Sequence, residues 1–136
     1  MYVKRLFYDK LLNGKYYPFN EIENPEWSNV KDILLKLDGQ NVSEITMDNG
    51  DEDSYLCVAG GNNGLFILYI VLNDNSEFYN LLNPSPENKI NRLVTGGQWG
   101  DFEDRFCNNL TSVIKVAENY FRTGEISDKY KWEIIN

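Results

Sequence analysis

The stretch from residue 64 to residue 74, GLFILYIVLND, is almost continuously apolar and constrains the fold more than any other part of the chain. Its apolar residues are mainly leucine, β-branched and aromatic, a composition that suits a pleated strand. An apolar run without polar alternation is typical of a strand that is buried on both faces. We therefore predict that residues 64–74 form the central strand of a β-sheet.

Other segments carry a β pattern and supply neighbours for this strand. They are residues 2–9, 42–48, 53–61, 76–82, 90–97 and 128–135. Asn-Gly at 49–50 and Asn-Asp-Asn at 73–75 are typical of hairpin turns, which predicts mainly antiparallel pairing. Residues 83–89, NPSPENK, are predicted to form a loop, after which residues 90–97 resume the sheet.

The first helix is predicted from the residues expected to start and end it. In NPEWSNVKDILLKLDG, Asn24 is the expected cap, Pro25 the first helical residue and Gly39 the residue just past the end. The apolar residues recur at steps of three and four and form one stripe: Trp27, Val30, Ile33, Leu34 and Leu37. This spacing indicates that Trp27 is a core anchor rather than a residue that stacks on a ligand.

The second helix lies in NNLTSVIKVAENYFRTG, with Asn108 or Asn109 as its cap and Gly124 as its stop. Its apolar face consists of Leu110, Val113, Ile114, Ala117 and Phe121. Runs of strands with two separate helices predict an α+β fold, a mainly antiparallel β-sheet with both helices packed against it. The length of 136 residues fits one domain, residues 1–136.

The charge balance restricts the partners. The chain carries 21 acidic and 13 basic residues, a net charge of −8. Such a surface repels phosphate backbones and anionic lipids and attracts basic partners, so we expect neither nucleic-acid nor membrane binding. The first residues, MYVKRLFYDK, show no secretory apolar region, and no span approaches twenty apolar residues. We therefore expect a cytoplasmic protein.

The residue types present exclude several kinds of site. The chain has no histidine, and Cys57 and Cys107 lie far apart without a CxxC motif, which excludes the usual zinc spacings. Histidine-dependent nucleophile systems and a P-loop are also absent from the sequence. We expect no enzymatic activity, catalytic residue, metal or cofactor. Cys57 is interpreted as a buried thiol, although a disulfide with Cys107 remains an alternative.

The segment DNGDED places four carboxylates, Asp48, Asp51, Glu52 and Asp53, within six positions. It does not match a calcium-binding EF-hand loop, because the third, sixth and twelfth positions counted from Asp48 are Gly50, Asp53 and Ala59. Two readings remain. The carboxylates either form a solvated turn or present charge to a basic partner.

A second acidic segment, QWGDFED, has the same two readings. It is expected to be a glycine-bounded loop in which Gln98 and Trp99 precede Asp101, Glu103 and Asp104. A large aromatic residue with an acidic rim is the composition of a protein-binding hot spot. A core role for Trp99 is an equal alternative. A hydrolase that uses paired carboxylates is a weaker alternative, because no particular pair stands out.

The order of features at the end of the chain resembles a known family. Residues 94–104, VTGGQWGDFED, are followed by the helix SVIKVAENYFRTGEIS and then by KYKWE. This layout resembles the Imm1 family of bacterial immunity proteins, which neutralise the toxin domains of contact-dependent growth inhibition and other polymorphic toxin systems. Phe121, Gly124, Trp132 and Glu133 occupy the positions of the family's aromatic-x-x-Gly helix end and Trp-bearing terminal strand. The resemblance spans about residues 24–135.

The resemblance implies a cytoplasmic inhibitor, encoded beside its toxin, without enzymatic activity. Toxins stopped by such proteins are often nucleases or deaminases with basic clefts, which an acidic inhibitor would complement. The matched residues are expected to be scaffold, because each family member recognises its own toxin. We hypothesise that DNGDED and QWGDFED form or flank the toxin-binding surface, with Trp99 as the anchor. The alternative is a small-ligand or carbohydrate-binding module that uses exposed aromatic residues.

Overall fold

The computed structural model describes residues 1–74 and 76–136, and its core is an antiparallel β-sheet. The strands in the described residues are β1 (Arg5–Leu12), β2 (Lys15–Glu23), β3 (Glu44–Asp48), β4 (Tyr55–Gly60), β5 (Phe66–Leu72), β6 (Glu77–Leu81), β7 (Ile90–Thr95), β8 (Gln98–Glu103) and β9 (Trp132–Ile135). The helices are α1 (Trp27–Lys36) and α2 (Leu110–Thr123). This is the predicted α+β class.

Seven of these strands form one sheet in the order β2-β1-β3-β4-β5-β6-β9. The apolar run forms β5, which is paired on both sides by β4 and β6. It is an interior strand, as predicted, although the middle position of the seven belongs to β4. The predicted turn at 73–75 includes residue 75, which lies outside the described residues. Asn73 and Asp74 have the positive φ angles that turn residues adopt.

Both helices pack against one face of this sheet. Side chains that alternate along the strands, among them Leu6, Met47, Leu56 and Ile70, pack in one core with residues of α1 and α2. The residues between them, such as Phe7 and Tyr55, point to the opposite, helix-free face. This division decides which side chains are left for a functional site.

Helix α1 begins later than its sequence predicts. Its N-cap is Glu26 rather than Asn24. Asn24 has a φ of +49° and donates its N–H to the Lys4 carbonyl at 2.7 Å, so it belongs to the connection from β2 instead. Trp27 packs on Phe121 of α2 with 5.7 Å between ring centroids. The prediction that Trp27 is a core residue is therefore confirmed.

Helix α2 has the predicted ends. Asn109 is the N-cap, and its side-chain oxygen accepts a hydrogen bond from the Ser112 N–H at 2.9 Å. Gly124 ends the helix with a φ of +72°, and its N–H donates to the Tyr120 carbonyl. Cys57 and Cys107 are buried free thiols, which confirms the reading of Cys57 and removes the disulfide alternative.

Substitution of Gly124 by alanine is expected to lower the free energy of unfolding by about 2 kcal/mol or more. Alanine is strained at positive φ, and its Cβ would lie 2.5 Å from the Tyr2 ring. Gly14 is the matched control, because it has a similar φ of +77° and a Cβ added there would have no atom within 4 Å. Urea unfolding of both variants checks this. Equal destabilisation would contradict the proposed clash with Tyr2.

Strands β7 and β8 do not resume the main sheet. In the part of the chain that the structure describes, they pair with each other and not with the main sheet, and they form a separate two-stranded hairpin. The prediction for residues 90–97 is therefore wrong on this point. The segment QWGDFED is also not a loop, because residues 98–103 are strand β8. In the part of the chain that the structure describes, no helix has the length and apolar character needed to cross a membrane.

Candidate functional site

The β7–β8 hairpin lies over the helix-free face and is fixed there by contacts from distant parts of the chain. The Gly97 N–H donates to Ser43 Oγ at 2.9 Å, and the Val94 N–H donates to Asn62 Oδ1 at 2.8 Å. Leu93 is fully buried and packs close to Gly60 of β4. A hairpin held at its tip and along β7 presents its outer face in one orientation.

The outer face of the hairpin combines apolar and charged side chains. By strand alternation it consists of Ile90, Arg92 and Val94 on β7 and of Trp99, Asp101 and Glu103 on β8. Trp99 is 60% exposed and Ile90 is 59% exposed. The Arg92 guanidinium lies over the Trp99 ring at 5.0 Å and 3.5 Å from the Asp101 carboxylate. We call these six residues the hairpin face.

This arrangement removes the core alternative for Trp99, whereas its role in binding stays a prediction. A core residue would be buried, and Trp99 instead stands on the solvent side of a fixed strand. Arg92 restrains the ring by a cation–π contact, so less rotational freedom would be lost on binding. Gln98, at the start of β8, is also exposed. An exposed, restrained tryptophan with acidic neighbours can act as the anchor of a protein interface.

The carboxylates of QWGDFED differ in what they do. Asp101 and Glu103 are exposed and pair with Arg92 and Arg105, respectively. Asp104 is only 6% exposed, so the expectation that this whole cluster faces solvent is wrong for Asp104.

Asp104 closes the base of the hairpin instead. Its carboxylate accepts hydrogen bonds from the Glu87 N–H and the Asn91 side-chain amide, both at 2.8 Å. These two bonds, together with nearby Lys89, lower the pKa of Asp104 below its ordinary value. Its role in the structure is to hold the preceding loop against β7.

The segment DNGDED likewise contains one buried, structural carboxylate and several exposed ones. Asp48 is 5% exposed and accepts two hydrogen bonds from the Arg5 guanidinium, at 2.8 and 2.9 Å. This bidentate pair joins β1 to the end of β3 and is structural. Asp51, Glu52 and Asp53 are exposed in the β3–β4 turn.

The structure does not bring the two acidic segments together. Glu44 and Asp48 are the first and last residues of β3, about 13 Å apart along a strand of this length. The hairpin tip contacts Ser43, at the Glu44 end, whereas the acidic turn follows Asp48. The two acidic segments therefore lie at opposite ends of β3, and the hypothesis that they form or flank a toxin-binding surface stays a prediction.

Between these two segments lies a cleft that the sequence reading missed. It occupies about 380 Å³ on the helix-free face. It is lined by Arg5, Phe7, Phe19, Glu44, Thr46, Asp48, Glu52, Tyr55 and Tyr69. The Tyr55 and Tyr69 rings meet edge to face at 6.3 Å, and Phe19 is 84% exposed at the rim. Alternate residues of β1 (Arg5 and Phe7) and of β3 (Glu44, Thr46 and Asp48) lie on the same face of the sheet. The sequence shows this alternation, but only the strand register shows that these side chains line one cleft.

Glu44 is half-buried at one end of this cleft. Burial, reinforced by the nearby Asp9 carboxylate, raises the pKa of Glu44 above its ordinary value. Below it, the Cys57 thiol lies 3.7 Å from Glu44 Oε1. Burial raises the pKa of Cys57 well above its ordinary value, which keeps the thiol protonated and a poor nucleophile. Cys57 is therefore unsuited to nucleophilic catalysis in this cleft.

A buried carboxylate, Asp9, supports both the cleft and the hairpin tip. Asp9 is 1% exposed and sits at a register shift in the β1–β2 pairing. It accepts hydrogen bonds from the backbone N–H groups of Ser43 and Glu44 and from the hydroxyls of Ser43 and Tyr16. Ser43 Oγ in turn accepts the Gly97 N–H, so one network positions Glu44 and the hairpin.

Within the described residues, no group of three or more His, Cys, Asp or Glu side chains is arranged to hold a metal ion. Compared with models of known protein families and with curated proteins, the chain has no significant match.

Proposed function

We propose that this protein is a cytoplasmic immunity protein that binds and neutralises a cognate bacterial toxin domain. The observation that carries the proposal is the hairpin face, where Trp99 stands 60% exposed over Arg92 beside Asp101. A large aromatic residue of this exposure on a fixed strand is most useful as an anchor for another protein. The order of α2, Gly124 and the Trp132-bearing β9 supports the resemblance to immunity proteins.

The scaffold role implied for the matched residues agrees with their contacts. Phe121 is fully buried, and its carbonyl accepts the N–H groups of Tyr2 and Val3. The Trp132 indole N–H donates to the Ser127 carbonyl at 2.9 Å, which ties β9 to the segment that follows α2. These residues hold the fold together, so recognition of a particular toxin falls to other surfaces.

The charge of the chain fits a basic partner. A net charge of −8 raises the rate at which a basic toxin domain would encounter this protein. Effective neutralisation requires nanomolar affinity or better, on the order of −12 kcal/mol. Exposed carboxylates contribute only about 0 to 1 kcal/mol each. The affinity must therefore come mainly from apolar anchors, and Trp99 and Ile90 are the two large ones on the hairpin face.

Co-purification tests this proposal. The partner is the catalytically disabled C-terminal toxin domain encoded immediately upstream, mixed with the tagged chain at about 50 mM and about 500 mM salt. A tight one-to-one complex at both salt concentrations is expected, weaker at high salt. A folded protein that binds nothing at either concentration would refute the immunity function.

Charge reversal at Asp101 and Glu103 is expected to slow association with the toxin domain by about tenfold and to weaken its salt dependence. Both carboxylates are exposed on the hairpin face, so their replacement by lysine should leave the fold intact. Stopped-flow association rates measured across a salt series check the effect.

A double variant of Asp32 and Asp128, also to lysine, changes the net charge equally. Both of these residues are exposed, and neither belongs to the hairpin. The control should slow association less than the hairpin variant does. Equal slowing by the two variants would show that only net charge matters and that the hairpin face is not the docking surface.

A second candidate function, a small-ligand or carbohydrate-binding module, is favoured by one observation, the aromatic cleft of about 380 Å³. Its volume is at the lower end of ligand sites. Its lining holds three carboxylates, Glu44, Asp48 and Glu52, and one guanidinium, that of Arg5. This balance suits a cation better than a neutral sugar.

A further inference from the structure

The aromatic walls and the charge of the cleft, taken together, define a class of ligand. Four aromatic rings line it, those of Phe7, Phe19, Tyr55 and Tyr69. Aromatic faces attract cations, because the ring quadrupole is negative above and below the plane. Walls of this kind select a flat or compact cation over an anion of the same size.

The carboxylates of the cleft differ in whether they have a cationic partner. Asp48 is neutralised by its bidentate pair with Arg5. Glu52 lies near enough to Arg5 to help raise the pKa of that guanidinium. Among residues 1–74 and 76–136, no lysine or arginine lies within ion-pair distance of Glu44. The cleft therefore keeps negative charge that a bound cation can neutralise.

Glu44 is the carboxylate that would gain most from a cation in the cleft. Its half-buried carboxylate has a raised pKa, because it is desolvated and lies near Asp9. A cation beside it would stabilise its ionised form. The same wall already holds one guanidinium in this way, since Arg5 lies 5.3 Å from the centre of the Phe7 ring while it pairs with Asp48.

The cleft adjoins the tip of the β7–β8 hairpin. A Cβ built on Gly96, in the hairpin tip, would lie 3.5 Å from Glu44 Oε2. A partner docked on the hairpin face could therefore extend a side chain past the tip into the cleft. An arginine side chain has the length, planarity and charge for this position.

We propose that the cleft binds an arginine side chain of the partner protein, held between its aromatic walls and paired with Glu44. The identity of the partner as a toxin domain rests on the proposed function, but the chemistry of the cleft does not. The occupant is a guanidinium group, and it is recognised by stacking and by charge rather than by shape alone.

The test uses a small probe instead of the partner. N-acetyl-arginine methylamide is titrated into the full chain to about 50 mM, followed by NMR, with the neutral citrulline analogue as the matched control. Saturable shifts of the Tyr55 and Tyr69 resonances are expected with the arginine compound and much smaller ones with citrulline. No saturable shift, or equal shifts with both compounds, would overturn the proposal.

Two substitutions localise the site. Phe19→Ala and Glu44→Gln are each expected to weaken binding of the arginine compound by about threefold or more. Tyr17→Ala is the control, because Tyr17 is an exposed aromatic residue of β2 that does not line the cleft. An unchanged affinity in both cleft variants, or the same loss in the Tyr17 variant, would place the probe elsewhere and overturn the proposal.

The outcome is separable from the immunity function. A protein that binds the arginine compound but not the toxin domain keeps the cleft assignment and loses the proposed function. A protein that binds the toxin domain but not the arginine compound keeps the proposed function and loses the cleft assignment.

Discussion

Replacement of Trp99 by alanine is expected to weaken binding of the toxin domain by about 30-fold to 1,000-fold, or about 2 to 4 kcal/mol. The ring is 60% exposed in the free protein, so its burial against the partner would remove a large apolar area from water. Truncation would also release Arg92, which lies over the ring at 5.0 Å. Calorimetric or surface-based affinity measurements on the purified complex check this.

The control for Trp99 is Leu35→Ala. Leu35 is 55% exposed on α1, on the opposite side of the main sheet from the hairpin face. Neither substitution should change the stability of the free protein by more than about 0.5 kcal/mol, because both side chains are exposed. If the two variants bind equally well, Trp99 is not an anchor and the hairpin face is not the interface.

Replacement of Asp9 by alanine is expected to lower the free energy of unfolding by about 3 to 5 kcal/mol, because it leaves several buried donors without an acceptor. The substitution removes the acceptor for the N–H groups of Ser43 and Glu44 and for the Tyr16 hydroxyl, at a site only 1% exposed. Each buried donor left without a partner costs about 1 to 3 kcal/mol. Because small domains are stable by only about 5 to 15 kcal/mol, the variant should be marginally folded.

Two variants make the Asp9 result interpretable. Asp9→Asn keeps an oxygen that can accept the two backbone N–H groups, so a smaller loss of about 1 to 2 kcal/mol is expected. Asp101→Ala removes an exposed carboxylate and should cost about 0 to 1 kcal/mol. Urea unfolding of the three proteins gives the comparison. A loss for Asp9→Ala no larger than for Asp101→Ala would show that the network does not stabilise the fold.

The local structure could be predicted where neighbouring residues determine it. The apolar composition of β5 required burial, and the apolar face of α2 together with its Gly124 stop gave both the helix and its end. In each case the residue pattern that predicts the element lies within the segment itself. The α+β class follows from the order of such segments, which is why it was predicted correctly.

The position of the β7–β8 hairpin could not be predicted in this way. Its strands have an ordinary β pattern, which fits either the main sheet or a separate ribbon. The hairpin is held in its own position, outside the main sheet, by two long-range hydrogen bonds. One joins Gly97 to Ser43, 54 residues away in sequence, and the other joins Val94 to Asn62, 32 residues away. Contacts at such separations depend on the register of other strands.

The acidic segments were predictable in composition but not in role. Asp48 and Asp104 look like their exposed neighbours in the sequence, yet each is buried by a distant donor or backbone N–H group. The same reason explains why the cleft was missed. Its residues come from β1 to β5 and the β3–β4 turn, and no short window of the chain contains enough of them to indicate a site.

The measurement that tests the central claim most directly is the growth of bacteria that produce the active upstream toxin domain. Wild-type chain produced in the same cells is expected to restore growth, whereas Trp99→Ala, at equal protein level, should restore it only in part. Leu35→Ala should protect as the wild type does. Cells that die equally with and without the wild-type chain, when it is folded and abundant, would contradict the proposal that this protein neutralises the toxin.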